Sequence, residues 1–313
     1  MYSRRDVGKI ALGCFSSSVA GAAKINSTVD GVRLGTITYS YHDLPRTPGG
    51  NQVDVVIAAL KDNGIGIIEL FSPHVEPSFQ KPLPPGDPAA RRARMKSPEA
   101  LQAREELRKW RLAAPDEYFK ATRKKFDDAG IDVYAYTINF RDDFTDEEID
   151  RGFQHAKAIG VKVISCSTQL TMAQRLAPFA EKHKMYVAIH GHNNVSDPNE
   201  FSTPATFQKA LNMSRYFKVN LDIGHFTAAN CDSLAYIKEN HKQITHLHVK
   251  DMKRNGGTYT EFGEGDAPIK QVLLLLKEKK YPIPCFAEYE YKGNGTATEE
   301  VARCMTYMKQ ALT

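Results

Sequence analysis

Short apolar runs rich in β-branched residues alternate with amphipathic stretches along most of the chain. A short apolar run is typical of a buried strand, whereas apolar positions that recur every three or four residues are typical of a surface helix. Strand and helix alternate eight times, which predicts an α/β fold in a single domain, a parallel (β/α)8 TIM barrel. The predicted strands are residues 33–40, 65–71, 132–139, 162–167, 185–190, 218–223, 244–250 and 283–290. The predicted helices are residues 53–63, 114–129, 146–159, 173–183, 205–216, 233–239, 269–279 and 298–312.

Residues 1–23 follow a different pattern. A basic start with Arg4 and Arg5 precedes a mildly apolar stretch and then a run of small residues that ends at Ala23. This order predicts a cleavable export signal of the twin-arginine type, so we expect an exported, periplasmic protein whose barrel domain covers residues 24–313. The alternative is a first helix of the fold, which would bury little.

The connection after the second predicted strand is unusually long, because it runs from Phe71 to Ala114. It contains a proline-rich segment, residues 82–88, followed by a basic stretch. Connections of this length in a compact domain are typical of lids or arms, so the sequence predicts a long insertion after the second strand. His74 lies early in this insertion, close to the expected barrel mouth, and is a candidate for contact with substrate. The basic residues are Arg91, Arg92, Arg94 and Lys96, a run more typical of a solvated helix face than of a binding patch.

Composition narrows the classes of partner. With 313 residues and 42% hydrophobic content, the chain is long enough for the large core of a barrel. A formal net charge of +5 is too small to argue for nucleic acid. Five scattered cysteines form neither a CxxC pair nor a disulfide scaffold, which favours buried thiols. We therefore expect a small-molecule partner, no nucleic acid and no membrane in the mature form, and homo-oligomer formation stays open.

The last four predicted strands all end in ionisable residues. In a (β/α)8 barrel the active site lies at the carboxyl ends of the strands, and buried ionisable groups there must be paired, solvated or bound to metal. Alternate residues share one face of a strand, so each strand offers one ligand comfortably, for example His248 with His246 behind it. The pattern predicts one metal site built from four strands, and the alternative is a hydrogen-bonded barrel mouth without metal. The residues concerned are His190, His192, Asp222, His225, His246, His248, Lys250, Glu288 and Glu290.

Four motifs in this order resemble the xylose-isomerase-like family of sugar isomerases and epimerases. They are Asp-x-x-His at 222–225, His-x-Lys-Asp at 248–251, Phe-Gly-Glu-Gly at 262–265 and Glu-Tyr-Glu at 288–290. The resemblance covers the chain after residue 23 and implies one divalent ion held by residues from the last four strands. It implies Asp222, His248 and Glu288 as metal ligands. The fourth ligand is commonly a glutamate in these epimerases, and the matching position here is His190.

Two histidines, an aspartate and a glutamate suit Mn²⁺, Zn²⁺, Co²⁺ or Fe²⁺ better than Mg²⁺, which prefers oxygen ligands. The resemblance implies a carbohydrate substrate and removal of a proton next to a sugar carbonyl that the metal polarises. Glu288 or His190 is the expected catalytic base. A metal-bound imidazole has no free lone pair for proton transfer, which favours one-base chemistry by Glu288, or Glu290 beside it. The residues expected to contact the sugar are His225, Lys250, His192, Glu290 and His74.

Several outcomes and classes stay open from the sequence. Proton removal next to a carbonyl can lead to isomerisation, to epimerisation, or to elimination from a keto-glycoside. A non-catalytic sugar-binding barrel is consistent with histidine at position 190. A phosphodiesterase resembling endonuclease IV is disfavoured, because its three zinc ions need extra histidines and the third predicted strand contains none.

Overall fold

The computed structural model describes residues 23–79 and 97–313. Eight parallel strands in this part of the chain form the wall of a barrel, and each lies within or beside a predicted apolar run. The barrel strands, from first to eighth, are Val32–Ile37, Ile67–Phe71, Asp132–Thr137, Val163–Ser167, Tyr186–His190, Phe217–Asp222, Ile244–Val249 and Cys285–Ala287. Two-residue strands outside the barrel wall are Thr28–Val29, Asp251–Met252 and Tyr259–Thr260.

Consecutive barrel strands pair in parallel, and the first strand pairs with both the second and the eighth, which closes the barrel. The predicted (β/α)8 fold is therefore confirmed. Pairing also sets the height of the polar side chains, since Asp222 lies opposite His248 and His190 lies opposite Asn220. Residues far apart in the chain thus reach the same end of the barrel.

Helices follow the strands and cover the outside of the barrel. Several begin at side-chain caps: Thr145 accepts a hydrogen bond from the N–H of Glu148, and Thr296 with Glu299 forms a capping box. The helices are Val53–Asp62, Ser72–Val75, Pro98–Ala113, Asp116–Asp128, Asp146–Ile159, Leu170–His183, Pro204–Leu211, Ile223–Ala228, Ser233–Asn240, Ile269–Lys279 and Ala297–Leu312, with a 3₁₀ turn at Thr38–Ser40.

The main apolar core lies between the barrel wall and these helices, where strand residues such as Leu70 and Leu221 are fully buried. A separate, much smaller apolar cluster lies inside the barrel and consists of Ala135, Val163 and Ala188. Bulky branched residues usually fill the interior of a TIM barrel. Here small and polar residues occupy much of it, which leaves room for a polar site at the carboxyl ends of the strands.

The eighth strand is shorter than the sequence predicts. Residues 283–290 are expected to be extended, but only Cys285–Ala287 pair in the sheet. Pro282 and Pro284 have no N–H to donate, so the ladder starts late. The four cysteines in the described residues are free thiols, and Cys166, Cys285 and Cys304 are buried as predicted, whereas Cys231 is only partly buried.

The connection between the second and third strands contains the helices Ser72–Val75, Pro98–Ala113 and Asp116–Asp128. The basic residues 91–96 lie outside the described residues, and so do residues 1–22 of the predicted export signal, so both stay predictions. In the two described ranges, no helix has the length and apolar character needed to cross a membrane.

Candidate metal centre and active site

The four predicted metal ligands come together at the carboxyl end of the barrel. His190 Nε2 lies 3.3 Å from Asp222 Oδ2 and 3.6 Å from Glu288 Oε2. His248 Nδ1 lies 2.8 Å from Glu288 Oε2. One ligand atom from each residue lies within 4.8 Å of the other three, and all four residues are buried. The structure therefore brings the four residues into one cluster, named the ligand cluster below.

Asp222 is positioned by the segment that follows it. Its Oδ1 accepts a hydrogen bond from the N–H of His225 at 2.8 Å and caps the short helix Ile223–Ala228, which leaves Oδ2 facing the ligand cluster. Gly224 packs directly against Lys250. A larger residue would not fit here, since a Cβ at this position would lie 2.4 Å from Lys250 Cγ. The Asp-Ile-Gly-His sequence thus supplies three features. Asp222 is the candidate ligand, the N–H of His225 holds its carboxylate, and Gly224 leaves space for Lys250.

Lys250 lies next to the two carboxylates of the ligand cluster and next to Glu290. Its Nζ is 3.1 Å from Glu288 Oε2 and 3.3 Å from Asp222 Oδ2, and it donates a short hydrogen bond to Glu290. Nζ also donates to His225 Nε2 at 3.2 Å. Only 2% of Lys250 is exposed. A buried ammonium needs such compensation, which the three carboxylates provide.

Glu69 supports the cluster from inside the barrel, and sequence reasoning missed it. This fully buried residue of the second strand accepts hydrogen bonds from His248 Nε2 at 2.7 Å and from Thr137 Oγ1 at 2.6 Å. Because Glu69 holds Nε2, the Nδ1 atom of His248 faces Glu288. A signal was present in the sequence, since a lone glutamate inside the apolar run Ile-Ile-Glu-Leu-Phe needs a buried partner.

His246 lies deeper in the barrel than His248, as predicted for a residue behind the ligand. Its Nε2 is 2.7 Å from Glu69 Oε2, and its Nδ1 is 2.8 Å from Thr245 Oγ1. Asn220 lies beside this layer, with Nδ2 3.0 Å from His248 Nε2. A polar layer of the barrel interior therefore surrounds the inner side of His248.

Burial and charge act against each other in these groups. Burial opposes a charge on His248, but Glu69 and Glu288 on either side raise its pKa to about 10. Burial also favours the neutral acid of Glu69, yet the neighbouring histidines outweigh it and hold its pKa well below the usual range. For Lys250 the three carboxylates outweigh burial and raise its pKa well above the ordinary value. Burial and the Lys250 charge hold the pKa of His225 well below its ordinary value, which favours the neutral imidazole.

The geometry and chemistry of the cluster fit a divalent transition metal. Ligand atoms bound at 2.0–2.2 Å in a tetrahedral shell lie roughly 3.3 Å apart. The distances from His190 Nε2 to the two carboxylates, 3.3 and 3.6 Å, are close to this value. The 2.8 Å between His248 Nδ1 and Glu288 Oε2 is a hydrogen-bond distance and would have to lengthen around an ion. Two imidazoles and two carboxylates are a common mixed donor set for such ions. An ion here would share Asp222 and Glu288 with the Lys250 ammonium.

A cavity of about 220 Å³ opens onto the cluster. Four of the residues predicted to contact the sugar line it, namely His192, His225, Lys250 and Glu290. His192 is held on both ring nitrogens, by Ser167 Oγ at 3.2 Å and Glu200 Oε1 at 3.1 Å. Tyr39 and Phe71 add aromatic surface to the wall.

His74 is the exception among these predictions. It is buried against Phe71, its Nδ1 lies 3.1 Å from Thr38 Oγ1, and it is not part of the cavity wall. Burial lowers the pKa of His74 to about 3, with a further contribution from Arg46. The expected contact with substrate is therefore not supported, because the short helix Ser72–Val75 turns this side chain into the protein.

The Phe-Gly-Glu-Gly motif forms a loop anchored by Asp251. This carboxylate accepts hydrogen bonds from the N–H groups of Gly263, Gly265 and Ala267 at 2.8, 3.0 and 3.1 Å. Gly263 has a φ of +96°, and a Cβ at Gly265 would lie 2.0 Å from Asp251 Oδ1. The Asp that follows Lys250 and the two glycines therefore act together to hold the loop.

The fold and the site together define the class of protein. It is a closed (β/α)8 barrel that carries a candidate metal site, the His₂/Asp/Glu cluster, where barrel enzymes have their active sites. The family model described as xylose isomerase-like TIM barrel matches residues 48–309. The chain belongs to this family, as the four sequence motifs indicate. No curated protein matches the sequence.

Solved structures with the same fold include proteins of several activities. The 3-keto-D-glucoside 4-epimerase YcjR of E. coli is 13% identical with a TM-score of 0.58, covering 89% of this chain and 99% of its own. The probable 3-DHS dehydratase AsbF of Bacillus anthracis is 14% identical with a TM-score of 0.59, covering 88% and 98%. IolI protein with a bound zinc atom is 15% identical with a TM-score of 0.61, covering 90% and 98%. At these identities the likeness establishes the fold.

Proposed function

We propose that this protein is a divalent-metal-dependent carbohydrate enzyme of the isomerase or epimerase type, which removes a proton next to a sugar carbonyl. The observation that carries the proposal is the meeting of His190, Asp222, His248 and Glu288 at a cavity of about 220 Å³. The neighbours named as an epimerase and as a zinc-bound protein support it. The position of the cluster at the carboxyl ends of the strands is where TIM-barrel enzymes carry their active sites.

The chain's own groups suit these roles. A bound divalent ion would supply polarisation of the sugar carbonyl. Glu288 lies on the cavity wall and is kept ionised by Lys250 and His248, so it is the proposed base for the proton. Glu290 enters the same cavity beside it, and its side chain is 21% exposed against 7% for Glu288. Lys250 and His225 would hold sugar oxygens.

Elimination from a keto-glycoside is the second candidate reaction. It needs the same proton removal, followed by departure of a group β to the carbonyl. Histidine at position 190 favours it over two-base epimerisation, because a metal-bound imidazole nitrogen has no lone pair for a proton. The dehydratase name of one structural neighbour is consistent with such an outcome on this fold.

Elemental analysis tests the metal. We expect one divalent ion per chain in protein purified without chelator, and its loss in Asp222→Ala and Glu288→Ala, since each removes a charged ligand. Glu300→Ala is a control, because Glu300 is equally buried but lies in the last helix, where it accepts from Tyr291 Oη. Wild-type protein that stays free of metal after reconstitution would contradict the proposal.

Solvent-deuterium incorporation tests the reaction across a panel of ketoses, aldoses and 3-keto-glycosides. Exchange with inversion at C2 or C3 would identify an epimerase, and exchange with loss of the aglycone would identify a lyase. Glu288→Gln should abolish exchange, whereas Glu278→Gln makes the same change at a side chain that is 70% exposed and should have no effect. No exchange with any sugar by the metal-loaded protein would favour a non-catalytic sugar-binding barrel.

A further inference from the structure

A second cavity, of about 270 Å³, adjoins the one above the ligand cluster. The two cavities share Phe71 and Asn139 in their walls. A third depression on the same end of the barrel also includes Asn139, together with Arg141. Asn139 and Arg141, which follow the third barrel strand, therefore lie where these spaces meet. The second cavity is called the arginine cleft below.

The cavity that opens onto the ligand cluster, called the catalytic cavity below, is too small to hold a large substrate by itself. Pockets for drug-sized ligands are roughly 300–1,000 Å³. The catalytic cavity, at about 220 Å³, is below this range and suits about one sugar ring. With the arginine cleft included, the available space falls within the range. A substrate larger than one ring would extend past Asn139 into the cleft.

The arginine cleft has more cations than anions in its wall. Its three carboxylates already have guanidinium partners: Arg111 pairs with Glu76 at 2.8 Å, Arg104 with Asp143 at 2.6 Å, and Arg108 and Arg111 with Glu148 at 3.1 and 2.7 Å. Arg46 donates to backbone carbonyls. The exposed side chain of Arg141 has no hydrogen bond or ion pair with any described residue. Its five donors are thus available to a ligand with oxygen acceptors.

Asn139 has a fixed orientation at the junction. Its Oδ1 accepts a hydrogen bond from the backbone N–H of Ser167 at 2.9 Å. Because that partner can only donate, the amide oxygen is assigned and Nδ2 is the free end, without a partner in the described chain. Phe79, on the cleft wall, is 42% exposed and offers an apolar face to the C–H side of a sugar ring.

We propose that the arginine cleft binds the second sugar unit of a glycosidic substrate, with Arg141 and Phe79 as its contacts and Asn139 at the linkage. The inference rests on the proposed function, since the reacting ring would occupy the catalytic cavity. It makes the substrate a glycoside with a second ring and excludes a free monosaccharide as the best substrate. Arg141 acts on the affinity of the second ring and takes no part in the proton transfer.

Binding of two probes tests this inference, in the Glu288→Gln variant kept in excess divalent metal. The amide oxygen can still contact an ion, which the methyl group of Glu288→Ala cannot, and the loss of the carboxylate prevents turnover. The probes are a 3-keto-glucosyl disaccharide and free 3-ketoglucose, titrated calorimetrically. We expect the disaccharide to bind at least about tenfold more tightly, since hydrogen bonds to a charged group contribute on that order. A second substitution in the Glu288→Gln background, either Arg141→Ala or Phe79→Ala, should remove most of the preference for the disaccharide. The affinity for the monosaccharide should stay unchanged. Arg215→Ala, at an arginine whose side chain is 76% exposed and remote from both cavities, should leave both affinities unchanged.

The outcomes separate this inference from the proposed function. Equal affinities for the two probes, or an equal loss of both in Arg141→Ala, would overturn the cleft as a sugar subsite. In that case deuterium exchange into 3-ketoglucose by the wild-type protein would still support the proposed function. Failure of the wild-type protein to bind either probe would overturn the cleft as a sugar subsite, and exchange with the other sugars of the panel would then decide the proposed function separately.

Discussion

The two histidines of the ligand cluster are held very differently. His248 has partners on both ring nitrogens, with Glu288 at Nδ1 and Glu69 at Nε2. His190 contacts Asp222 and Glu288 through Nε2, but its Nδ1 is buried and has no hydrogen-bond partner in the described residues. The barrel interior therefore orients His248 before any ligand binds, whereas His190 is oriented by the cluster alone.

This difference has a physical consequence for a metal site. A carboxylate that holds the far nitrogen of a ligating histidine fixes its orientation and raises its basicity. Glu69 can do this for His248, and no corresponding group does so for His190. Position 190 is also where the family resemblance implies a glutamate and this chain has a histidine. We infer that the seventh strand provides the more rigidly held histidine of the site and the fifth strand the less constrained one.

The largest effect is expected for His248→Ala. It removes a ligand and leaves the fully buried Glu69 without its main partner, so metal affinity should fall more than 100-fold and the free energy of unfolding by about 3 kcal/mol. Calorimetric metal titration and urea unfolding in chelator measure the two losses. His155→Ala is the control for loss of a buried histidine, since His155 stacks on Phe119 outside the site. An equal or larger loss of affinity in His190→Ala would reverse the comparison.

Glu69→Gln should have the next largest effect. The amide keeps the size of the side chain but loses the charge that holds His248 Nε2, so metal affinity should fall about 10–100-fold. The spectrum of the Co²⁺-loaded protein reports whether the coordination has changed. Glu300→Gln is the matched control, because it alters another fully buried glutamate outside the cluster. Unchanged affinity and spectrum in Glu69→Gln would show that Glu69 has only a structural role.

His190→Glu should reduce metal affinity less than the two preceding substitutions, and it should change which product forms. A carboxylate can replace the imidazole as ligand, so we expect metal affinity within about tenfold of the wild type. A second carboxylate can also move a proton, so the ratio of products from a 3-keto-glycoside should shift toward epimerisation. Product analysis by NMR measures this ratio. Loss of the ion in His190→Glu would mean that the fifth strand is as constrained as the seventh.

The smallest effect is expected for His246→Ala. His246 contacts Glu69 and lies outside the ligand cluster. Metal affinity should change only a few-fold, although the protein should lose stability because a fully buried side chain is removed. If His246→Ala released the ion more readily than His248→Ala, the assignment of the two histidines on the seventh strand would be wrong.

Much of the fold and part of the site are readable in the sequence. The apolar runs identify all eight barrel strands, because a buried strand needs a continuous apolar segment and the helical spacing between them is distinct. The strand-end rule selects nine candidate residues, and the family resemblance implies His190, Asp222, His248 and Glu288 among them, which the structure brings together. Periodicity also places His246 and His248 on one face of their strand.

Contacts around the barrel were decided only by the tertiary structure. Sequence periodicity specifies which face of a strand a residue occupies, but not which residue of another strand lies at the same height. Glu69 and His248 are 179 positions apart, and closure of the barrel brings Glu69 Oε2 to 2.7 Å from His248 Nε2. Likewise, His74 lies against Thr38, 36 positions earlier in the chain. The placement of Lys250 between Asp222 and Glu288 depends on three strands at once, so the pattern of any one strand does not contain it.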